Sequence, residues 1–228
     1  LIKIGITGSY GKTSTKFMLE TILSEKYRVL VTPGSFNTSM GVTRVIRERL
    51  SPDHQVFIAE MGARHRGDIR LLCKLVRPRY GILTSVGPQH LETFRTQENI
   101  LKEKFELARA IPPDGAMVFG SDGGLNDGLY EKAACEKHLA GQRAESLGLT
   151  VKDVEVGPWG SRFTLSGGEK EIRCETRLLG MHNIDNLLTA CTLARVLGMD
   201  LETIARGIAK VKPVEHRLQL LTSPGGVT

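Results

Sequence analysis

An apolar strand that runs straight into a glycine-bounded loop constrains the fold of this 228-residue chain more than any other feature. Residues 2–7 read Ile-Lys-Ile-Gly-Ile-Thr, and residues 8–13 read Gly-Ser-Tyr-Gly-Lys-Thr. A strand, a glycine turn and a Lys-Thr pair at a helix start form a phosphate-binding loop, in which unpaired backbone N–H groups converge on an anion. Ile6 stands where the usual spacing has its leading glycine, so we expect Gly8 to make the turn instead.

The loop supplies candidate groups for binding a nucleotide. Lys12 would place a point charge on the outer phosphates, and the Thr13 hydroxyl would bind a magnesium ion. An ordinary strand-to-helix turn is the alternative interpretation. The predicted nucleotide-binding residues of the loop are Gly8, Ser9, Gly11, Lys12, Thr13 and Ser14.

The first 120 residues alternate between apolar runs and amphipathic segments. Residues 55–61 and 80–86 are nearly continuous apolar runs, which are typical of strands buried on both faces. Residues 28–32 and 115–120 predict two further short strands, with helical spacing between the runs. This alternation predicts a P-loop α/β fold of three layers, α/β/α, with a mostly parallel sheet and right-handed crossovers.

The pattern changes in the second half of the chain. A charged segment, residues 124–147, is expected to be helical, and residues 151–179 then read as short alternating strands around a Ser-Gly-Gly turn. This second region predicts a small antiparallel hairpin appended to the main sheet. Of the two helices that follow, the last begins with Asp200 as its N-cap and extends to about Lys210.

Two polar side chains follow the predicted buried strands. Glu60 comes at the end of the run 55–61, and His90 comes shortly after the run 80–86. Because the carboxyl ends of parallel strands meet at one edge of a sheet, both residues are expected beside the phosphate loop, where a magnesium–phosphate cluster would lie. Taken singly, the glutamate could be a cap or an ion-pair partner, and the histidine could be a surface residue.

Lys104 interrupts an apolar helix face. Ile100, Lys104, Leu107 and Ile111 are spaced four, three and four residues apart in a predicted helix over residues 97–111. An unpaired ammonium on such a face is costly, so Lys104 needs an anionic partner or a chemical modification. The alternative is a lysine whose stem follows the helix to water.

Composition excludes several classes of protein. The formal charge of +6 is spread along the chain without the aromatic-interleaved basic stripe of a nucleic-acid surface, and an anionic small substrate accounts for it equally well. No apolar run approaches the length of a membrane span, and no signal peptide is recognisable. The cysteines form no Cys-x-x-Cys pair, which indicates reduced thiols and a cytoplasmic location: Cys73, Cys135, Cys174 and Cys191.

Several short motifs follow one another along the chain, among them residues 7–13, residues 60–63, Lys104 with Glu106 and Gly180-x-His182-Asn183-x-x-Asn186. In this order they resemble the central, ATP-binding domain of the Mur ligases over nearly the whole chain. The resemblance implies that residues 1–228 form one such domain, with residues 151–179 as a small antiparallel subregion. It also implies that the family's N-terminal UDP-binding domain and its C-terminal domain lie outside this sequence. The motifs that carry the resemblance are residues 7–13, Asn37 with Gly41, residues 60–63, residues 67–69, His90-Leu91-Glu92 with Phe94, Lys104 with Glu106, Gly180-x-His182-Asn183-x-x-Asn186, and His216-Arg217.

The resemblance implies a catalytic role for Lys12, His90 and Lys104. Lys12 would hold the γ-phosphate, and Thr13 and Glu60 would bind one of two Mg²⁺ ions. His90 would help to hold the second ion. Lys104 would be carbamylated and would become an anionic helper of the metal site.

The resemblance also implies how the remaining ligands bind. Asn183 and Asn186 would lie against the adenine of ATP, and Arg217 would lie near the nucleotide at the hinge to the next domain. Asn37 would lie toward the peptide substrate. The Asn37-Thr38 pair and Thr43 depart from residues common in the family, where a second asparagine and a proline stand.

The activity implied is that of an ATP-dependent, ADP-forming amide ligase of peptidoglycan precursor synthesis. Its partners would be ATP, a UDP-linked muramoyl peptide and an amino-acid or dipeptide amine. Within the family the motifs are nearest to members that add D-alanyl-D-alanine to UDP-N-acetylmuramoyl-tripeptide. The alternatives are an enzyme similar to folylpolyglutamate synthase, another Mur-like ligase that adds glutamate or a different amino acid, and a nucleotide-binding module without ligase activity. We expect this chain by itself to be inactive as a ligase.

Overall fold

A computed structural model describes residues 1–34, 36–87, 91–122, 124–141 and 147–213 of the chain. The predicted α/β fold is confirmed by a six-stranded sheet in the order β2-β3-β1-β4-β5-β6, in which every neighbouring pair is parallel. Its strands are β1 (Ile2–Thr7), β2 (Val29–Val31), β3 (Val56–Glu60), β4 (Tyr80–Leu83), β5 (Ala116–Gly120) and β6 (Glu136–Ala140). The helices are α1 (Lys12–Leu23), α2 (Ser39–Arg49), α3 (Asp68–Val76), α4 (Leu91–Phe94), α5 (Gln97–Ala110), α6 (Leu125–Lys132), α7 (Met181–Val196) and α8 (Leu201–Lys210).

Helices cover the sheet on both faces. Because successive side chains of a strand point to opposite faces, β3 contributes Ile58 to one apolar core and Phe57 to the other. The first core packs α1, α7 and α8 against the sheet, and the second packs α2, α3 and α5 against its other face. The predicted three-layer arrangement is therefore confirmed.

The order of the strands positions the site. β1 is central and pairs with β3 on one side and with β4 on the other, with Ile6 opposite Glu60 and Thr7 opposite Leu83. Strand order reverses at this point, and in open parallel sheets ligands bind in the crevice beyond the carboxyl ends of the strands at such a reversal. The loop after β1 opens into that crevice.

The antiparallel region is a sheet of its own. Three strands, β7 (Leu149–Gly157), β8 (Gly160–Gly167) and β9 (Lys170–Thr176), pair in the order β7-β8-β9. The predicted hairpin is thus confirmed as β8 and β9, with β7 as a third strand. This sheet packs beside α8, where Gly167 lies against the side chain of Leu201.

The expectation of a helix over residues 124–147 is wrong for its second half. Helix α6 ends at Lys132, and residues 136–140 form β6, which pairs in parallel with β5 at the edge of the main sheet. Glu136, Lys137 and His138 make the segment polar, because an edge strand has fewer neighbours to bury it. Their charge pattern resembled that of a solvated helix. Among the described helices, none is long and apolar enough to cross a membrane.

Candidate functional site

The loop between β1 and α1 needs its glycines. Gly8 has a φ of 149°, and a Cβ added there would collide with the side chain of Thr84. Gly11 precedes α1 with a φ of 81°, and an added Cβ would lie 2.5 Å from Oδ1 of Asn186. Both positions favour glycine by conformation and by space, and Gly8 makes the turn that the sequence predicts.

Lys12 closes the loop. Its Nζ donates to the backbone carbonyl of Gly8 at 2.8 Å and to that of Ser9 at 2.9 Å. The Ser9 hydroxyl donates to the carbonyl of Gly87 at 3.0 Å, which ties the loop to the segment after β4. The ammonium is therefore held at the mouth of the loop, ahead of the N-terminus of α1.

Glu60 lies at the same edge, as predicted. Its side chain is 1% exposed and is contacted by three other side chains. Oε2 accepts from the Thr13 hydroxyl at 3.0 Å and lies 3.0 Å from Nζ of Lys16, and Oε1 accepts from Nδ2 of Asn37 at 3.1 Å. The structure therefore brings the predicted magnesium ligands, Thr13 and Glu60, into contact with one another, and Glu60 also contacts the predicted substrate residue Asn37.

Lys16 is a site residue that the sequence interpretation missed. Its side chain is 0% exposed, and besides Glu60 it contacts the carbonyl of Gly34, to which Nζ donates at 2.6 Å. A signal was available, because Lys16 stands three and seven residues before the buried Leu19 and Leu23 on one face of α1. Such spacing indicates burial, and a buried ammonium requires a partner.

Lys104 is buried in α5, as its spacing predicts. Its side chain is 3% exposed, and its pKa is lowered from 10.5 to about 8. Burial is the largest cause, and the nearby ammonium of Lys12 lowers the pKa further. Both lysines line one cavity, so their positive charges interact there.

The two carboxylates whose charges act on Lys104 both accept hydrogen bonds from backbone N–H groups. Glu103 and Asp68 raise the pKa of Lys104, but no carboxylate among the described residues forms an ion pair with it. Glu103 was not singled out from the sequence, and its function is to cap the N-terminus of α3. Glu103 accepts from the N–H groups of residues 67 and 69 at 2.8 and 2.9 Å, and Asp68 accepts from those of residues 64 and 65 at 2.9 and 2.8 Å.

Two clefts meet at Lys12. The large cleft has a volume of about 680 Å³ and runs from the phosphate loop and Glu60 to the first turns of α7. The small cleft has a volume of about 550 Å³ and is lined by Lys104, by Asp68 and by the segment before α3. Lys12 and Asn37 line both clefts. Lys12 and Asn37 can therefore contact a ligand in either cleft.

The large cleft gathers most of the predicted nucleotide-binding residues. Ser14 lines it on the loop side, and Asn183 and Asn186 line it on the α7 side. Nδ2 of Asn183 donates to the carbonyl of Leu179 at 2.7 Å, which fixes the orientation of the amide. The predicted residues His90 and Arg217 lie outside the described residues.

The donor set suits an ion that binds through oxygen atoms. Among the described residues no group of three or more His, Cys, Asp or Glu side chains could hold a metal. Thr13 and Glu60 supply one hydroxyl and one carboxylate beside the phosphate loop. Mg²⁺ is usually bound in this way, by one or two carboxylates together with substrate phosphates and water.

The sequence matches the family model of the Mur ligase middle domain over residues 6–194. The UDP-N-acetylmuramoyl-tripeptide--D-alanyl-D-alanine ligase of Mycobacterium tuberculosis is 34% identical over a 233-residue alignment that covers 99% of this chain and 44% of that protein.

Solved structures agree with this match. MurF from Acinetobacter baumannii superimposes with a TM-score of 0.89 at 29% identity, over 98% of this chain and 49% of that one. The MurF ligase from Thermotoga maritima in complex with ADP gives a TM-score of 0.83 at 25% identity, over 93% and 49%. The chain thus spans about half the length of the relatives it matches.

Proposed function

Since the chain belongs to the Mur ligase family, we propose that residues 1–228 are the ATP-binding middle domain of an ADP-forming amide ligase. One observation carries the proposal: the large and the small cleft meet at Lys12. A ligase of this kind must bring the terminal phosphate of ATP against a carboxylate. Two clefts that share one cation at the phosphate loop supply that geometry.

The nucleotide would occupy the large cleft. The N–H groups at the start of α1 and the Lys12 ammonium would bind its phosphates, as at other helix N-termini. The base would lie toward Asn183 and Asn186, which line the far side of the cleft. The relative from Thermotoga maritima was solved in complex with ADP, which supports a nucleotide as the ligand.

Thr13 and Glu60 would hold a Mg²⁺ ion together with the phosphates. The ion would neutralise charge on the transferring phosphoryl group. His90 as a ligand of a second ion remains a prediction, as does Arg217 as a contact of the nucleotide.

Lys104 would act as a carbamate. A pKa of about 8 leaves a substantial fraction of neutral amine near physiological pH, and the neutral amine is the form that adds CO₂. The addition forms an N–C bond and releases one proton. The product is an anion that would attract Lys12, where the free ammonium repels it, and that could assist the metal site.

The substrate carboxylate would reach Lys12 through the small cleft. Its oxygen would attack the γ-phosphorus of ATP, giving an acyl phosphate and ADP, and an amine would then attack the acyl carbon, giving an amide and phosphate. Lys12 would bind the charge that moves between the phosphate oxygens, and Asn37 would fix the substrate side. Positioning and charge neutralisation are sufficient, without a nucleophile from the protein.

The substrates proposed are a UDP-linked muramoyl tripeptide and D-alanyl-D-alanine, because the relative from Mycobacterium tuberculosis carries that name. Binding of the UDP group and of the amine would fall to flanking domains of the same enzyme. The cytoplasmic location remains a prediction.

Calorimetric titration of the 228-residue chain with ADP and Mg²⁺ tests the nucleotide site. Binding is expected, and Lys12→Ala should abolish it at millimolar ADP. Lys74→Met is the matched control, because Lys74 is an exposed lysine of α3 and lines neither cleft. Unchanged binding by Lys12→Ala would contradict the proposal.

An amine panel tests the reaction. The polypeptide of the complete reading frame is supplied with ATP, UDP-N-acetylmuramoyl-tripeptide and, in turn, D-alanyl-D-alanine, diaminopimelate, lysine or glutamate, and ADP release is followed. We expect turnover with D-alanyl-D-alanine. Turnover with glutamate alone, or with glutamate on a folyl acceptor supplied in a parallel reaction, would indicate one of the alternative ligases. ADP binding without any turnover would indicate a nucleotide-binding module.

A further inference from the structure

Lys16 and the proposed metal ligand Thr13 contact the same carboxylate oxygen, Oε2 of Glu60. Its buried Nζ lies 3.0 Å from Oε2 of Glu60, and the Thr13 hydroxyl donates to the same oxygen at 3.0 Å. Lys16 stands on α1 one turn after Lys12, so both lysines belong to the helix that follows the phosphate loop. A positive charge is therefore built into the protein at the place where a metal ion is expected to bind.

Glu60 creates an electrostatic difficulty for nucleotide binding. It is 1% exposed and lies beside the loop that would receive the phosphates, so water screens its charge poorly. Without a compensating cation, its carboxylate would repel the phosphates of any nucleotide that arrives before the metal. Lys16 supplies that cation in the absence of metal.

The same ion pair also anchors the loop between β2 and α2. Lys16 donates to the carbonyl of Gly34 at 2.6 Å, and Nδ2 of Asn37 donates to Oε1 of Glu60 at 3.1 Å. The carboxylate is thus held in one orientation by Lys16, Thr13 and Asn37. A fixed orientation is what a metal ligand needs in order to be preorganised.

We propose that Lys16 is a positioning residue that serves as the internal counter-ion of Glu60. It holds the carboxylate against Thr13 and offsets its repulsion of the nucleotide phosphates until Mg²⁺ binds. This inference rests on the nucleotide and magnesium site proposed above. It predicts that Lys16 matters most when the metal is absent.

The experiment measures ADP affinity in EDTA and again in excess Mg²⁺, on the 228-residue chain. In Lys16→Met, affinity in EDTA should fall roughly tenfold to a hundredfold, the range expected for one uncompensated charge close to the phosphates. In excess Mg²⁺ the loss should be less than about threefold, because the ion then neutralises Glu60. The ratio of the ADP affinity in Mg²⁺ to the ADP affinity in EDTA is therefore larger in Lys16→Met than in the wild type.

A second variant separates this effect from damage to the fold. Lys16→Met combined with Glu60→Gln removes both charges, which is far less costly than leaving one of them buried alone. In EDTA its ADP affinity should be within about threefold of that of the wild type, whereas the enhancement by Mg²⁺ should be lost. Lys74→Met is the control and should behave as the wild type.

The outcomes are distinct. If Lys16→Met weakens ADP binding by the same factor with and without Mg²⁺, or if the double variant loses binding in EDTA, Lys16 is only structural and the inference is wrong. If Lys16→Met does not fold, the ADP affinity of the double variant in EDTA decides whether the inference holds. If the wild type itself does not bind ADP, the proposed nucleotide site fails, which is a different result.

Discussion

Two lysines lie buried at this site, and their surroundings differ. Lys16 is 0% exposed and meets a carboxylate at 3.0 Å. Lys104 is 3% exposed, and among the described residues no carboxylate pairs with it, since Glu103 and Asp68 are bound to backbone N–H groups. The first charge is compensated within the fold, whereas the second faces the small cleft beside Lys12.

This difference indicates that the role of a buried charge depends on whether the fold supplies a counter-ion for it. A compensated charge is part of the framework, because removing one partner leaves the other unpaired in a region of low dielectric. An uncompensated charge lowers stability, and a fold retains it when a ligand or a modification completes the site. Among the residues that the structure describes, none pairs with Lys104, which places it in this second class, and the carbamylation proposed above would complete it.

The largest effect is expected at the compensated lysine. Lys16→Met should reduce the free energy of unfolding by about 3–5 kcal/mol, because Glu60 is left buried without its counter-ion. Urea denaturation at pH 7.5 measures it. Adding Glu60→Gln should restore most of the loss, and failure to restore it would mean that the lysine stem, and not the charge, carries the stability.

Substitution of Lys104 is expected to change the free energy of unfolding in the opposite direction. In CO₂-free buffer at pH 7, Lys104→Met should raise the free energy of unfolding by up to about 3 kcal/mol, since a pKa lowered from 10.5 to about 8 costs that much. Urea denaturation again gives the value. A loss of stability would show that the ammonium is better compensated than its surroundings indicate.

The pH dependence of stability follows from the same pKa. Well below pH 8 Lys104 is protonated in both the folded and the unfolded chain, and its full cost is present. Between pH 8 and 10.5 the unfolded chain binds more protons, so this contribution to stability rises with pH. The difference between the wild type and Lys104→Met should therefore shrink across this interval, and a constant difference would contradict the assignment.

A smaller effect is expected from bicarbonate. Carbamylation of Lys104 should stabilise the wild type by about 1 kcal/mol in 50 mM bicarbonate at pH 8, by mass action, and should leave Lys104→Met unchanged. Thermal unfolding measures the shift, and ¹³C NMR with labelled bicarbonate should show a carbamate signal in the wild type. An equal signal in Lys104→Met would place the carbamate elsewhere.

The smallest effect is the coupling between the two cations. Lys12→Ala should raise the pKa of Lys104, because it removes a nearby positive charge. NMR titration of the labelled lysine side chain measures the change. A pKa that stays fixed would mean that Lys104 does not sense the phosphate loop.

Local patterns in the sequence were sufficient to predict the glycine turn after β1, the parallel sheet and the burial of Lys104. Each of these depends on residues close together in the chain: a glycine turn, a run of apolar residues, or a helical spacing. The prediction of a helix was wrong at β6, because its polar residues show no alternation of apolar side chains. An edge strand and a solvated helix can carry the same charges.

Only the tertiary structure decided which charges meet. Lys16 and Glu60 are 44 residues apart, and Glu103 caps α3 from 34 residues beyond Ile69. Such contacts depend on how helices pack across the sheet, which no short stretch of sequence encodes. The sequence by itself thus predicted the burial of Lys104 and the glycine turn from Gly8 to Thr13, and its assignment as a phosphate loop remains a prediction. The packing decided that Lys16 is compensated, that no described carboxylate pairs with Lys104, and that two clefts meet at Lys12.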